Sequence, residues 1–106
     1  MTLTSIVETL QSRGHSSETI DEVLSLLRER VPELLSSIGA ALEQSDYVLL
    51  SRDAHAAKGI FRTLLLEELG EAAHRLERAA KEEDHEETAA AADTFLSQLA
   101  LLQKEL

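Results

Sequence analysis

Residues 20–41 read IDEVLSLLRERVPELLSSIGAA, and the spacing of the apolar positions in this stretch decides the fold. Ile20, Leu24, Leu27, Val31, Leu34, Ile38 and Ala41 follow one another at alternating gaps of four and three. At about 100° per residue this rhythm keeps all seven on one stripe of an α-helix, the pattern by which helices pack into antiparallel bundles. Pro32 lies inside the stripe. It removes one backbone hydrogen bond, to the carbonyl of Arg28, and should bend the helix. The stripe keeps its phase across the proline, so the stretch reads as one kinked helix from about Thr19 to Gln44. Thr19 and Glu22 stand at capping-box spacing for its start.

The same rhythm continues outward. Upstream, Ser5 to Arg13 has Ile6, Val7 and Leu10 on one side and Gly14 behind it, which predicts a short helix with a glycine stop. His15, Ser16 and Ser17 form a polar connection. Downstream, Ser45 and Asp46 break and cap the chain before a helix from about Tyr47 to Phe61 or a little beyond, with Leu50, Ala54, Ala57, Phe61 and Leu64 inward. A fourth helix is predicted over about Leu66 to Glu82, with Leu69, Ala73, Leu76 and Ala80 inward. The acidic stretch from Glu82 to Glu87 reads as the next turn, its charges suited to a helix N-terminus. The last helix carries Thr88, Ala92, Phe95, Leu99, Leu102 and Leu106. Connections this short force neighbouring helices to run antiparallel. The expected fold is all-α: an up-down four-helix bundle over residues 19–106 with a short N-terminal helix within residues 1–14, the whole chain 1–106 forming one domain.

Composition agrees with this reading and excludes several functions. Aromatic residues are only 3% of the chain, so the core must be aliphatic. No run alternates apolar and polar residues in the manner of a strand. The net charge of −10 argues against nucleic acid or an anionic membrane surface as partner. No cysteine is present, so disulfides and thiol chemistry are out. No apolar run is long enough to span a bilayer, and the first residues lack the basic-then-apolar pattern of a secretory signal. A cytoplasmic location is the default expectation. There is no glycine-rich phosphate loop and no strand to hold one, so the chain should not use ATP itself, and no cofactor is implied.

On the third helix, His55 points roughly opposite the inward stripe. Ser51, Arg52, Lys58, Gly59 and Arg62 share its side at three- and four-residue spacings. A solvated surface histidine is the plain alternative. Gly59 weighs against it, because a glycine within a helix costs about 1 kcal/mol relative to alanine. It stands one turn beyond His55, on a face where core crowding cannot explain it. An absent side chain there lets another protein approach the imidazole; the plainer explanation is a helix end. Lys58 brings a cation within a turn of the ring, where it can meet phosphoryl oxygens.

The segment Ala54-His55-Ala56-Ala57-Lys58-Gly59 resembles the alanine–histidine–x–x–lysine–glycine motif of histidine-phosphotransfer domains. The likeness extends over about ninety residues. It includes Pro32-Glu33-Leu34-Leu35, Asp46-Tyr47 and Leu76-Glu77. By resemblance, His55 accepts a phosphoryl group and Lys58 and Gly59 attend the transfer. The partners implied are a sensor histidine kinase and the receiver domain of a response regulator. Ser51, Arg52 and Arg62 fall on the partner surface. The chain is then a covalent carrier in a two-component phosphorelay rather than an enzyme.

A finer likeness is to the phosphoacceptor domain of chemotaxis histidine kinases, where a histidine and a glutamate on the next helix flank the phosphorylated ring. His74 and Glu77 stand at the corresponding spacing. Both lie about 100° round from Ala73 and Leu76, on the flank of their helix. A carboxylate there that accepts a hydrogen bond from Nδ1–H fixes the tautomer and frees the Nε2 lone pair; a solvated flank is the plainer reading of Glu77. The family usually carries small residues after the motif and a further glycine ten residues after the histidine. Here Ile60, Phe61 and Leu65 stand instead, which puts the partner surface or the turn into the fourth helix in question.

Two other functions compete. Glu71-x-x-His74 and Glu82-x-x-His85 have the spacing of a di-iron bundle. That site needs further inward glutamates, and the inward stripes of the second, third and fifth helices hold none. A non-catalytic interaction bundle is excluded by neither composition nor periodicity, and the departures after Gly59 keep it in contention.

Overall fold

The computed structural model describes residues 3–106, so residues 1 and 2 of the expected N-terminal segment lie outside the described residues. Five helices follow in order: α1 (Leu3–Ser12), α2 (Ser17–Glu43), α3 (Tyr47–Thr63), α4 (Glu67–Lys81) and α5 (His85–Glu105). Among the described residues there is no strand. The fold is all-α. Helices α2 to α5 pack in cyclic order, α2 on α3, α3 on α4, α4 on α5 and α5 on α2, and α1 packs against α2 through the buried Ile6 and Leu10.

The heptad-like stripes face inward as their spacing requires. Ile20, Leu24, Leu27, Val31, Ile38 and Ala41 of α2 are buried, and Leu34 is half-buried. Leu50, Ala54, Ala57 and Phe61 of α3 meet Leu69, Ala73, Leu76 and Ala80 of α4 in the core. Phe61 and Phe95 touch edge to face, with ring centroids 6.2 Å apart. Helix α2 continues through Pro32 without a break, the exposed ring leaving the stripe in register on both sides.

Helix starts and stops differ from the sequence expectation by local chemistry. Ser16, not Thr19, caps α2: its hydroxyl accepts from the Thr19 backbone N–H, so Thr19 becomes the capped third residue of the helix. The acidic stretch is divided. Glu82 ends α4, Glu83 makes the turn, and Asp84 caps α5 by accepting from Glu87 N–H. His85 is therefore the first residue of α5 rather than part of the turn.

The connections share one geometry. Gln44-Ser45-Asp46, Leu64-Leu65-Leu66 and Glu82-Glu83-Asp84 each put a middle residue at positive φ, 51°, 60° and 53° respectively. In each, the third residue donates to a carbonyl five positions back, as Asp46 does to Ala41, Leu66 to Phe61 and Asp84 to Ala79. This is the Schellman stop, and Gly14, at φ 83°, makes the same stop after α1. Leu65 stands ten residues after His55, where the family pattern has glycine. The turn therefore keeps the shape a glycine favours and holds a leucine in it, at a cost of about 1 kcal/mol. Ile60 is half-buried and Phe61 fully buried, so the bulk after the motif enters the core rather than enlarging the outer face.

Candidate functional site

Helices α3 and α4 approach closely because the residues between them are small. Ala54 and Ala57 on α3 and Gly70 and Ala73 on α4 are all buried. At Gly70 a methyl group would come within 3.0 Å of Arg62 Cγ, so the glycine makes room for the Arg62 stem to lie across α4. This proximity lets side chains of α4 reach the outer face of α3.

Glu77 is the consequence. It is only 2% exposed, so of the two readings its flank position allowed the solvated one does not hold. Its Oε2 is 2.8 Å from His55 Nδ1. Its Oε1 accepts from Lys58 Nζ at 2.5 Å. Lys81 Nζ is 3.1 Å from Oε2. Burial raises the Glu77 pKa, but the hydrogen bonds from Lys58, Lys81 and His55 outweigh it and hold the group at about 2, below its ordinary value of 4.5. At neutral pH Glu77 is a carboxylate and can only accept hydrogen bonds, so the proton between it and His55 belongs to Nδ1. The His55 side chain is 69% exposed, and Nε2 of this tautomer carries a free lone pair.

The surroundings of the ring are mixed. Gly59 is exposed, and a Cβ placed there meets nothing within 4 Å. Core crowding therefore plays no part in the choice of glycine. Gly59 also lies well inside α3, four residues before its end at Thr63, so it is not a helix stop. Lys58 is drawn under the face to Glu77 and is only 17% exposed, rather than standing free before the ring. Arg52 is exposed and Ser51 half-buried. Arg62 is exposed but leans over α4, 3.3 Å from Glu71 Oε1. His74 stands beside Glu77 with its Nδ1 4.0 Å from Oε1, beyond hydrogen-bond range.

The remaining histidines are placed elsewhere. His15 is exposed in the first connection, and His85 Nδ1 lies 3.2 Å from the Tyr47 hydroxyl at the start of α5. Glu71, His74, Glu82 and His85 do not converge, and among the described residues no group of three or more histidine or acidic side chains is placed to hold a metal ion. No helix among the described residues is long and apolar enough to cross a membrane.

The sequence model of the Hpt domain family matches residues 22–105, covering α3, α4 and α5 and all of α2 beyond its first turn. The chain belongs to the Hpt domain family. No curated protein and no solved structure gives a significant match. Histidine phosphotransfer in phosphorelay signalling is the function of an Hpt domain, which is a phosphocarrier and not a catalytic kinase. In this Hpt domain the matched segment contains both helices of the histidine–glutamate pair.

One member of the cluster was not singled out from the sequence. Lys81 follows Glu77 by four residues, the spacing and order that favour a helical ion pair. That signal is weak because many exposed glutamates and lysines share it. Only the burial of Glu77 distinguishes this pair.

Proposed function

We propose that His55 is the phosphoacceptor and that the transfer takes place at Nε2. The observation that carries this reading is the 2.8 Å contact between His55 Nδ1 and a buried, ionised Glu77, on a ring that is otherwise open to solvent. The donor is the aspartyl phosphate of a receiver domain or the phosphorylated site of a sensor kinase. The Nε2 lone pair forms the new P–N bond as the P–O bond to the donor aspartate breaks, and the electron pair leaves with the aspartate carboxylate. The ring then carries a positive charge, and its Nδ1 proton stays on the hydrogen bond to Glu77, which offsets that charge. Reversal delivers the phosphoryl group to the aspartate of a response regulator.

The other residues have supporting roles in this reading. Lys58 neutralises Glu77 in the resting state, and its charge, one turn along α3 from His55, attracts the incoming phosphoryl oxygens. Gly59 leaves the approach to the ring open. Ser51, Arg52 and Arg62 border the docking face, and the exposed Arg62–Glu71 pair is weak enough for a partner to displace. His74 borders Glu77 and adds to the polar surround of that carboxylate.

The test is incubation with a phosphorylated receiver domain followed by mapping of the modified residue. The expected label is acid-labile, base-stable, located on His55 and absent from His55→Gln. Label that maps to His74, or persists in His55→Gln, overturns the assignment.

A further inference from the structure

Lys81 reaches the same oxygen as the histidine. It stands one turn after Glu77 on α4, and its ammonium contacts Oε2 at 3.1 Å, the atom that accepts the hydrogen bond from His55 Nδ1–H. Lys58 occupies the other oxygen. One buried carboxylate therefore serves three donors, two of them permanently charged at neutral pH. An ion pair between two exposed groups contributes little, because water screens both charges. Here the lysine is 63% exposed on the side chain but its acceptor is buried, so the pair retains more of its interaction.

The charge balance around the ring gives this contact a consequence. Glu77 and Lys58 alone sum to zero. A proton arriving on Nε2 would then meet a neutral pair through the very oxygen that can stabilise an imidazolium. Lys81 brings the sum to one positive charge and shares that oxygen, so the second ring proton is repelled. The charged and titratable groups around the ring are Arg52 and Lys58 on α3 and His74, Glu77 and Lys81 on α4. On α2, Arg30 and Glu33 line the groove with Asp53 and Ala56 on the opposite flank of α3 and pair with each other at 3.6 Å. Asp53 accepts from the Ser37 hydroxyl in that groove. Neither α2 charge enters the Glu77 cluster.

We propose that Lys81 is a positioning residue for phosphoryl transfer at His55: held on Glu77 Oε2 beside the ring, it disfavours the imidazolium and keeps Nε2 unprotonated for attack. The proposal rests on His55 being the phosphoacceptor. Attack through Nε2 needs the neutral ring, so a fixed positive charge beside the shared carboxylate favours the form that reacts.

The experiment follows the rate of phosphorylation of the full chain by a phosphorylated receiver domain across a range of pH at constant ionic strength. Wild type, Lys81→Gln and Lys81→Arg are compared, with the labelled residue mapped in each. Any pH dependence of the donor is common to all three. The acid limb of the Lys81→Gln profile is expected to move up by about half a pH unit to one pH unit. That displacement corresponds to a rate loss of roughly three- to tenfold on the acid side, with the profiles converging about two pH units higher. Lys81→Arg should restore the wild-type profile, because it returns the charge to the same oxygen. Superimposed profiles overturn the proposal, and so does an equal loss at every pH that arginine fails to restore. If the label does not map to His55 in the wild type, it is the underlying assignment that falls, and the same samples show which has failed.

Discussion

Replacing Glu77 by glutamine and unfolding both proteins across the acid range isolates the energetics of the buried carboxylate. Glu77 is held at about 2, against an ordinary value of 4.5, because the donors on its two oxygens outweigh the burial that opposes ionisation. Its folded-state pKa is depressed, so the stability it contributes is fully present above about pH 4.5 and drains away as the pH falls toward 2. A tenfold change in proton affinity between the folded and unfolded chain is worth about 1.4 kcal/mol, which gives a contribution of about 3 kcal/mol. Glutamine keeps the shape and does not titrate. The substitution also has a pH-independent cost, including a half-buried Lys58 left without its anion. That cost cancels when the comparison is between pH values, and every other carboxylate is common to both proteins. The stability of wild type over variant should therefore be greater at pH 6 than at pH 2 by about 3 kcal/mol. Urea denaturation followed by circular dichroism at a series of pH values measures it. Stability curves that stay parallel through this range would refute the account of Glu77 as a buried anion serving several donors.

Three variants give further expected outcomes. Glu77→Gln should also slow phosphoryl acceptance by His55 without abolishing it, since the orienting acceptor is weakened while Nε2 remains; transfer kinetics equal to wild type would mean that the contact has no part in the reaction. Gly59→Leu should leave the thermal midpoint unchanged or higher, because nothing lies within 4 Å of the new Cβ and helix propensity improves by up to about 1 kcal/mol. The same variant should suppress transfer from a receiver domain, and an unchanged transfer rate removes Gly59 from the docking face. Glu83→Gly should stabilise the domain by roughly 0.5–1 kcal/mol, because an exposed non-glycine residue at φ 53° is relieved of its backbone cost; chemical denaturation showing a loss would mean that the Schellman stop after α4 is not strained.

The helical bundle is legible in the chain because its information is periodic. Each stripe repeats a local choice several times, so an error at Leu34 or Leu64, both only half-buried, does not alter the face that turns inward. Helix ends are less legible because they depend on one or two side chains. Ser16 and Thr19 both offer a capping hydroxyl, and only the backbone geometry chooses Ser16. The stops at Ser45, Leu65 and Glu83 have no glycine to mark the left-handed residue. They are imposed by the packing of the helices on either side, which outweighs the cost of a left-handed residue.

Three relations follow from the order of residues alone: the chain forms antiparallel helices, His55 faces away from the core, and Lys58 and Gly59 accompany it along one helix. The last two hold within a single helix, where a fixed rotation per residue sets them. Packing between helices decides the rest. Through it Glu77 is buried, meets His55 at Nδ1, and takes Lys58 on its other oxygen. Those relations cross between α3 and α4. They depend on how closely Gly70 and Ala73 let the two helices approach and on the rotation of α4 that places Glu77 toward its neighbour instead of solvent. A flank position in sequence is compatible with either environment. The energy of packing small residues at the α3–α4 contact selects the one in which a carboxylate is buried beneath the histidine.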